Sequence, residues 1–145
     1  MNVVIVDDSK LIRDQLKELF SEYPEIAVVA DTDDIAEALM ITSTMIVDFF
    51  IVDISISNRR GLSLLKCIKL INSSAKIIMM TNDSDNSYYS FAKKLGVDFF
   101  FDKANEFSKL PGTILSGDAP GEHKSSQFIF RRTNSEDNFF GITRL

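Results

Sequence analysis

The chain has 145 residues and a formal net charge of −5, with 45% apolar and 26% charged residues, a composition typical of one globular domain. The excess of acidic side chains disfavours binding to nucleic acid or to an anionic membrane. One cysteine (Cys67) and one histidine (His123) exclude an internal disulfide and disfavour a zinc site, which leaves oxygen-ligated cations open. No apolar run is long enough to span a membrane and the N-terminus does not resemble a signal peptide, so we expect a cytoplasmic protein.

Five short apolar runs recur along the chain, and their lack of alternation indicates strands that are buried on both faces, as in a parallel sheet. They cover residues 3–6, 26–30, 49–52, 77–80 and 97–101. Stretches with helical periodicity separate the runs. The apolar positions assigned to the four helix faces are Leu11, Ile12, Leu16, Leu19 and Phe20; Ile35, Ala38, Leu39 and Thr42; Leu62, Leu65 and Ile68; and Tyr88, Phe91, Ala92 and Leu95.

Helix-capping residues mark several of the predicted boundaries. Ser9 is well placed to cap the first helix, and Gly96 to end the fourth. Pro111 and Gly112 interrupt a fifth helix unless that helix begins there, since proline is tolerated in a first turn. The strict alternation predicts an α/β fold, a doubly wound five-stranded parallel sheet in a flavodoxin-like three-layer sandwich.

Polar residues follow four of the five predicted strands, at the point where each strand ends. They are Asp7 and Asp8, Asp53, Thr81 and Lys103. In a parallel α/β sheet the functional crevice lies at the carboxyl ends of the strands, so we expect these side chains to converge. Carboxylates gathered there favour Mg²⁺, while the lysine and the hydroxyl suit an incoming anionic oxygen. Each residue alone is typical of a turn, a cap or a solvated surface, but together they predict an aspartate that accepts a phosphoryl group.

The sequence resembles the receiver domain of two-component response regulators, the CheY-like family, over residues 1–116. The matching segments are residues 3–10, 50–62, 77–81 and 95–103, and Gly61 falls eight residues after Asp53 as in the family. The resemblance implies the strand order 2-1-3-4-5. It also implies that Asp53 is the phosphoacceptor, and that Mg²⁺ is bound by Asp8, by Asp7 directly or through water, by Asp53 and by the backbone carbonyl of Ser55.

The resemblance also assigns roles to three residues beyond the metal ligands. Lys103 would contact a phosphoryl oxygen, Thr81 would move toward the phosphoryl group, and Phe100 would turn inward behind it as a switch aromatic. A plain buried strand aromatic is the alternative interpretation of Phe100, which lies in a run of three phenylalanines. The implied partners are a histidine kinase or a histidine phosphotransfer protein and a downstream protein target, with no direct nucleic-acid or membrane contact. The chain would be a monomer or a weak homodimer.

Several positions depart from the usual family pattern. Ala104 replaces the proline that commonly follows the lysine, so we expect a trans Lys103–Ala104 peptide, which puts the reach of Lys103 in question. Ser57 replaces a common proline, and Asn82 is bulkier than the usual small residue next to Thr81. Ser55 and Asp83 occupy positions that tune dephosphorylation in the family. None of these changes removes a required group, so we expect an active receiver.

Residues 117–145 differ in composition from the rest and are richer in Gly, Ser, Asn and charge. We interpret them as a mobile or docking tail without a separate output domain, in which His123 has no catalytic role. Output would then be a protein contact of the receiver itself, on a surface that includes Tyr88, Tyr89 and Lys94. A separated effector is the alternative, since the region around residues 26–30 is closer to receivers that precede DNA-binding domains.

Three other functions compete with a phosphorylation switch. A phosphatase of the haloacid dehalogenase type would need a second aspartate two residues after Asp53, where this chain has Ser55. A nucleotide binder would need a phosphate loop rich in Gly, Ser and Thr after the first strand, where Asp7 and Asp8 are electrostatically unsuitable. A binding module that works without phosphorylation is also open. We expect no enzymatic activity beyond self-phosphorylation and self-dephosphorylation.

Overall fold

A computed structural model describes residues 1–56, 60–82 and 89–118. Strands and helices alternate through these residues as the periodicity predicts. The strands are β1 (Asn2–Val6), β2 (Ala27–Thr32), β3 (Phe49–Asp53), β4 (Lys76–Thr81) and β5 (Phe99–Asp102). The helices are α1 (Lys10–Phe20), α2 (Ile35–Thr44), α3 (Gly61–Ile71), α4 (Tyr89–Leu95) and α5 (Leu110–Ser116), with a 3-10 turn at Phe107–Lys109. Among these residues no helix is both long and apolar enough to cross a bilayer.

The five strands form one parallel sheet in the order β2-β1-β3-β4-β5, which confirms the predicted fold class and strand order. The central strand β3 is buried along its whole length, as its unbroken apolar run predicts. The registers pair Val6 with Val52 and Thr81 with Asp102, so neighbouring strands end at the same edge. The residues that follow these strands are therefore brought together at that edge.

Alternate residues of each strand face two separate apolar cores, one on each side of the sheet. Val4 and Val6 belong to the core under α2, α3 and α4, which also includes Leu65 and Ile68. The neighbouring positions Val3 and Ile5 face the other core, with Leu16 and Phe20 of α1 and with α5. This division is the three-layer sandwich that the sequence predicts.

The helix ends agree with the predicted capping residues. The Ser9 side chain accepts a hydrogen bond from the Ile12 amide, and Gly96 ends α4 with a φ of 109°, a left-handed conformation suited to glycine. Pro111 lies in the first turn of α5, where its missing amide hydrogen leaves no helical bond unmade. The fifth helix therefore forms despite the Pro111–Gly112 pair.

Among the residues that the structure describes, two that were assigned to buried helix faces are exposed, which corrects the prediction. Leu11 is 65% exposed because five residues of helix place it about 140° around α1 from the buried Leu16. Phe91 is 54% exposed because α4 contacts the core through Ala92 and Tyr89, to which Phe91 is not aligned. The strands β2 and β5 begin one and two residues later than the predicted runs, since Ile26 and Val97 are buried in the preceding loops.

Candidate functional site

Backbone hydrogen bonds between neighbouring strands continue one residue past the ends of β1, β3 and β5. The Asp7 amide donates to the Thr32 carbonyl (3.0 Å), and the Lys103 amide donates to the Thr81 carbonyl (2.9 Å). The amide of Ile54, directly after Asp53, donates to the carbonyl of Met80 (3.0 Å). These bonds fix the backbone on which the predicted site residues lie.

Asp7, Asp53 and Lys103 meet at this edge in one charged cluster. The Lys103 ammonium lies 2.8 Å from Asp7 Oδ2 and 3.4 Å from Asp53 Oδ2. All three side chains are at most 8% exposed, so the cluster lies largely away from water. We call these three residues the site cluster. Its single ammonium group therefore pairs with two carboxylates.

Burial of this cluster changes the pKa of one of its acids. Burial raises the pKa of Asp7 above its usual 3.8, and the neighbouring Asp53 carboxylate adds to that increase. Hydrogen bonds from Lys103 and from the Ser9 amide act in the opposite direction, but they do not cancel it. The ionised form of Asp7 is therefore less favourable in the folded protein than in water.

Short-range hydrogen bonds orient both carboxylates. The Ser9 amide donates to Asp7 Oδ1 (2.8 Å), and the Ser55 amide donates to Asp53 Oδ1 (3.0 Å). The Ser55 hydroxyl also lies 3.0 and 3.1 Å from the two oxygens of Asp53. The sequence assigns the backbone carbonyl of Ser55 to the metal site and its position to the tuning of dephosphorylation, but it predicts no contact between the Ser55 hydroxyl and Asp53. The signal that was missed is a serine two residues after an aspartate, a common local hydrogen-bonding pair.

Gly61 lies directly against the chain that follows Asp53. A Cβ atom at this position would lie 2.7 Å from the Asp53 carbonyl oxygen and 3.1 Å from that of Ile54. Both contacts are to backbone, which cannot move aside without shifting the phosphoacceptor candidate. The glycine thus allows α3 to begin in close contact with the site, which gives a physical reason for the spacing noted in the sequence.

The other predicted residues, Asp8, Thr81 and Phe100, differ in their environments. Asp8 is exposed, whereas Thr81 is buried at the end of β4, with 6% of its surface accessible. Phe100 is 9% exposed, and its ring centroid lies 4.5 Å from that of Tyr89. The prediction that Phe100 is a switch residue is not tested by this geometry, which fits the plain buried aromatic equally well.

The chemistry of the donor atoms suits Mg²⁺, since Asp7, Asp8 and Asp53 supply the carboxylate oxygens that this ion prefers. Within residues 1–56, 60–82 and 89–118, however, no group of three or more His, Cys, Asp or Glu side chains is gathered closely enough to hold a metal. Asp7 and Asp53 are instead bridged by Lys103, and Asp8 is turned to solvent. The predicted ligand set therefore remains a prediction that rests on residue type and position.

The family departures have limited consequences in the part of the chain that the structure describes. The Lys103–Ala104 peptide is trans, as predicted, and Lys103 still reaches both carboxylates. Asn82 is exposed beside Thr81. The predictions on Ser57, Asp83 and Tyr88, and on the tail from residue 119 with His123, lie outside the described residues.

A residue that the sequence analysis did not single out contacts the site from α1. Arg13 Nη1 donates to the Asp7 carbonyl (2.7 Å), and its Nε donates to Asp31 Oδ2 (2.8 Å). Lys17, one turn later, lies 3.1 Å from Asp31 Oδ1. We call Arg13, Lys17 and Asp31 the β2 cluster. No motif marks it, because Asp31 is 18 residues from Arg13 and 14 from Lys17 in the chain, and it meets them only where α1 packs beside β2.

Comparison with known proteins agrees with the fold. Residues 3–115 match the response regulator receiver domain family, so the chain belongs to the receiver domains of two-component signalling. Among curated proteins, the Fimbriae Z protein of Salmonella typhimurium is 30% identical over 119 residues, covering 80% of this chain and 57% of that protein. The nitrate/nitrite response regulator NarP of Escherichia coli is 27% identical over 142 residues, covering 96% of this chain and 64% of NarP.

Solved structures show the same fold. The isolated receiver domain of RcsB from Salmonella enterica serovar Typhimurium has a TM-score of 0.72 at 23% identity, covering 79% of this chain and 85% of that one. The response regulator domain of Thermotoga maritima CheB has a TM-score of 0.69 at 24% identity, covering 81% and 92%. The chain spans 57% of the length of the Fimbriae Z relative, so the function of that whole protein is not carried over.

Proposed function

We propose that this receiver domain is a phosphorylation switch in which Asp53 accepts a phosphoryl group from a phosphohistidine on a histidine kinase or a histidine phosphotransfer protein. The observation that supports it is the position of the Lys103 ammonium, 2.8 Å from Asp7 and 3.4 Å from Asp53 in a nearly buried cluster. Removing a lysine and two carboxylates from water costs free energy. Buried clusters of charged side chains are therefore concentrated at functional sites.

In the proposed reaction an oxygen of the Asp53 carboxylate attacks phosphorus, and the bond from phosphorus to the donor nitrogen breaks. The electron pair of that bond leaves with the donor imidazole, which takes up a proton. Lys103 already faces Asp53 Oδ2, so it neutralises the charge that gathers on the phosphoryl oxygens. The Ser55 hydroxyl, whose single hydrogen is shared between the two oxygens of Asp53, orients the carboxylate before attack and then donates to one oxygen as the acyl phosphate forms.

Mg²⁺ would be held by Asp7, Asp8 and Asp53 and by the backbone carbonyl of Ser55. When bound, it supplies positive charge that shields the carboxylates from the incoming phosphoryl oxygens. The chain's own contribution is to hold Asp7 rigidly, through the Ser9 amide and Lys103, and to leave Asp8 accessible. This division of roles agrees with one buried and one exposed aspartate at the end of β1.

The phosphorylated state would be transmitted through Thr81 and Phe100. Both lie at the carboxyl edge or on the strand beside it, and Phe100 packs on Tyr89, the first residue of α4. A dianionic group on Asp53 attracts a hydroxyl donor, and movement of Thr81 releases space for the aromatic ring. The expected output is a changed protein contact near α4 and β5, without turnover of a separate substrate. A cytoplasmic location and a monomer or weak homodimer remain predictions.

Intact-mass spectrometry after incubation with acetyl phosphate and Mg²⁺ tests the proposal. We expect one phosphoryl adduct on the wild type, no adduct in EDTA, and no adduct on Asp53→Asn. Asp14→Asn is the matched control, because Asp14 is an exposed aspartate on α1 and should keep the adduct.

Retained phosphorylation of Asp53→Asn would contradict the site assignment. A folded wild type without an adduct, either at saturating Mg²⁺ or with a phosphorylated histidine phosphotransfer protein as donor, would favour the module that works without phosphorylation. Steady release of phosphate from a phosphomonoester would instead favour the phosphatase.

A further inference from the structure

Arg13 joins the ends of two strands through one side chain. Its guanidinium donates from Nη1 to the Asp7 carbonyl (2.7 Å) and from Nε to Asp31 Oδ2 (2.8 Å), and the side chain is 12% exposed. A planar guanidinium presents its donors in a fixed fork, so the two bonds constrain each other's direction. Asp31 is on β2 and Asp7 follows β1, so the arginine spans the two strand ends.

The bond from Arg13 to the Asp7 carbonyl holds the peptide that joins Asp7 to Asp8. The carbonyl lies in the same rigid plane as the Asp8 amide, so holding its oxygen fixes where the backbone enters Asp8. The amide on the other side of Asp7 is bonded to the Thr32 carbonyl, and both oxygens of the Asp7 side chain have partners. The Asp8 side chain is exposed, and Asp8 begins at the peptide whose carbonyl Arg13 holds.

We propose that Arg13 is a positioning residue for the phosphoacceptor site, which holds the Asp7–Asp8 peptide so that both carboxylates are presented for Mg²⁺. The inference rests on the proposed function. Asp31 is the anchor that orients Arg13, and Lys17 completes the charge balance of the anchor without contact to Asp7 in the described residues. Residues that orient metal ligands from outside commonly change metal affinity tenfold or more when they are replaced.

A purely structural ion pair is the competing explanation, and the chain provides a matched control for it. Lys17 is on α1, as Arg13 is, and both contact Asp31. Lys17→Gln removes one of the two cations beside Asp31 and leaves the bond from Arg13 to the Asp7 carbonyl in place. Arg13→Gln removes the positive charge and the guanidinium that donates to both the Asp7 carbonyl and Asp31. Arg13→Lys keeps the charge, loses the two-donor geometry, and is the milder change if Arg13→Gln does not fold.

The first measurement is the rate of Asp53 phosphorylation by acetyl phosphate across a series of Mg²⁺ concentrations. For both Arg13 variants we expect the half-saturating Mg²⁺ concentration to rise about tenfold, with a smaller loss of rate at saturating Mg²⁺. Lys17→Gln should stay within about twofold of the wild type, as expected for an exposed pair. Urea unfolding in EDTA identifies any variant in which the changed phosphorylation follows from a loss of folding stability.

The second measurement needs neither Mg²⁺ nor phosphorylation. The Ser9 amide is bonded to Asp7 Oδ1, so its hydrogen exchange in EDTA reports how firmly this loop is held. We expect exchange about tenfold faster in Arg13→Lys and Arg13→Gln, and unchanged in Lys17→Gln.

The inference is overturned if the Arg13 variants match the wild type in both measurements, or if Lys17→Gln changes them equally. Failure of the proposed function is a different result, namely a wild type that takes no adduct at any Mg²⁺ concentration. In that case unchanged Ser9 exchange in the Arg13 variants would overturn the positioning role too, and faster exchange would support the positioning of the loop.

Discussion

The site cluster and the β2 cluster lie at the same edge of the sheet, and both contact the loop between β1 and α1 at Asp7. Their charge balances are opposite. The site cluster has two acids for one base, with side chains that are 4–8% exposed. The β2 cluster has two bases for one acid, with side chains that are 12–42% exposed. The difference indicates which acid contributes to folding and which opposes it.

The pKa values of one acid in each cluster, Asp7 and Asp31, move in opposite directions. Burial raises the pKa of Asp7, and a second acid nearby adds to the effect. Burial also acts to raise the pKa of Asp31, but hydrogen bonds from Arg13 and Lys17 outweigh it and lower that pKa below 3.8. A lowered acid pKa stabilises the folded state at neutral pH, whereas a raised one opposes it. At neutral pH the ionised Asp7 therefore opposes folding, whereas the ionised Asp31 stabilises the folded state.

Removal of the lysine from the site cluster should have the largest effect. Lys103→Met leaves two buried carboxylates without a cation, and we expect the free energy of unfolding in EDTA to fall by about 3 kcal/mol. The matched change in the β2 cluster, Lys17→Met, leaves Asp31 with Arg13 and should cost less than about 1 kcal/mol. Urea unfolding followed by circular dichroism measures both. Equal losses would contradict the distinction between the clusters.

Removal of one acid from the site cluster should have a smaller effect of the opposite sign. Asp7→Asn keeps the shape of the side chain and leaves Asp53 as the single partner of Lys103, so we expect the protein to become more stable by about 1 kcal/mol at pH 7. Thermal and urea unfolding in EDTA measure this gain. The gain should shrink as the pH falls through the raised pKa of Asp7, because the wild-type side chain then becomes neutral as well. A loss of stability at neutral pH would contradict the interpretation of Asp7.

The fold and the convergence at the site could be predicted because both depend on local pattern. Unbroken apolar runs identify strands buried on two faces, and a parallel sheet brings the residues after those strands to one edge. Asp7, Asp53 and Lys103 are far apart in the chain, but each directly follows a strand or lies within one residue of its end. That rule was sufficient to bring them together without knowledge of any side-chain contact.

The contacts that could not be predicted depend on packing between elements. Arg13 and Asp31 meet because α1 crosses the β1–β2 pair, and neither residue differs in sequence from an ordinary surface charge. The exposure of Leu11 follows from its angle to Leu16 around α1, whereas the exposure of Phe91 depends on which residues of the short α4 contact the core. The second role of Ser55, through its hydroxyl, requires the rotamer that the fold selects.

The pH dependence of the Asp31→Asn effect separates the two clusters. Because the folded pKa of Asp31 is lowered, its stabilisation is present above 3.8 and is lost as the pH falls through the lower, folded value. Asp31→Asn should therefore cost about 1 kcal/mol near neutral pH and nothing once the wild-type carboxyl is protonated. The effect of Asp7→Asn must instead fade above 3.8, so urea unfolding at several pH values from 3 to 7 distinguishes the two acids. If both effects faded over the same pH range, Asp7 and Asp31 would share one electrostatic environment, and the opposite charge balances would have no thermodynamic consequence.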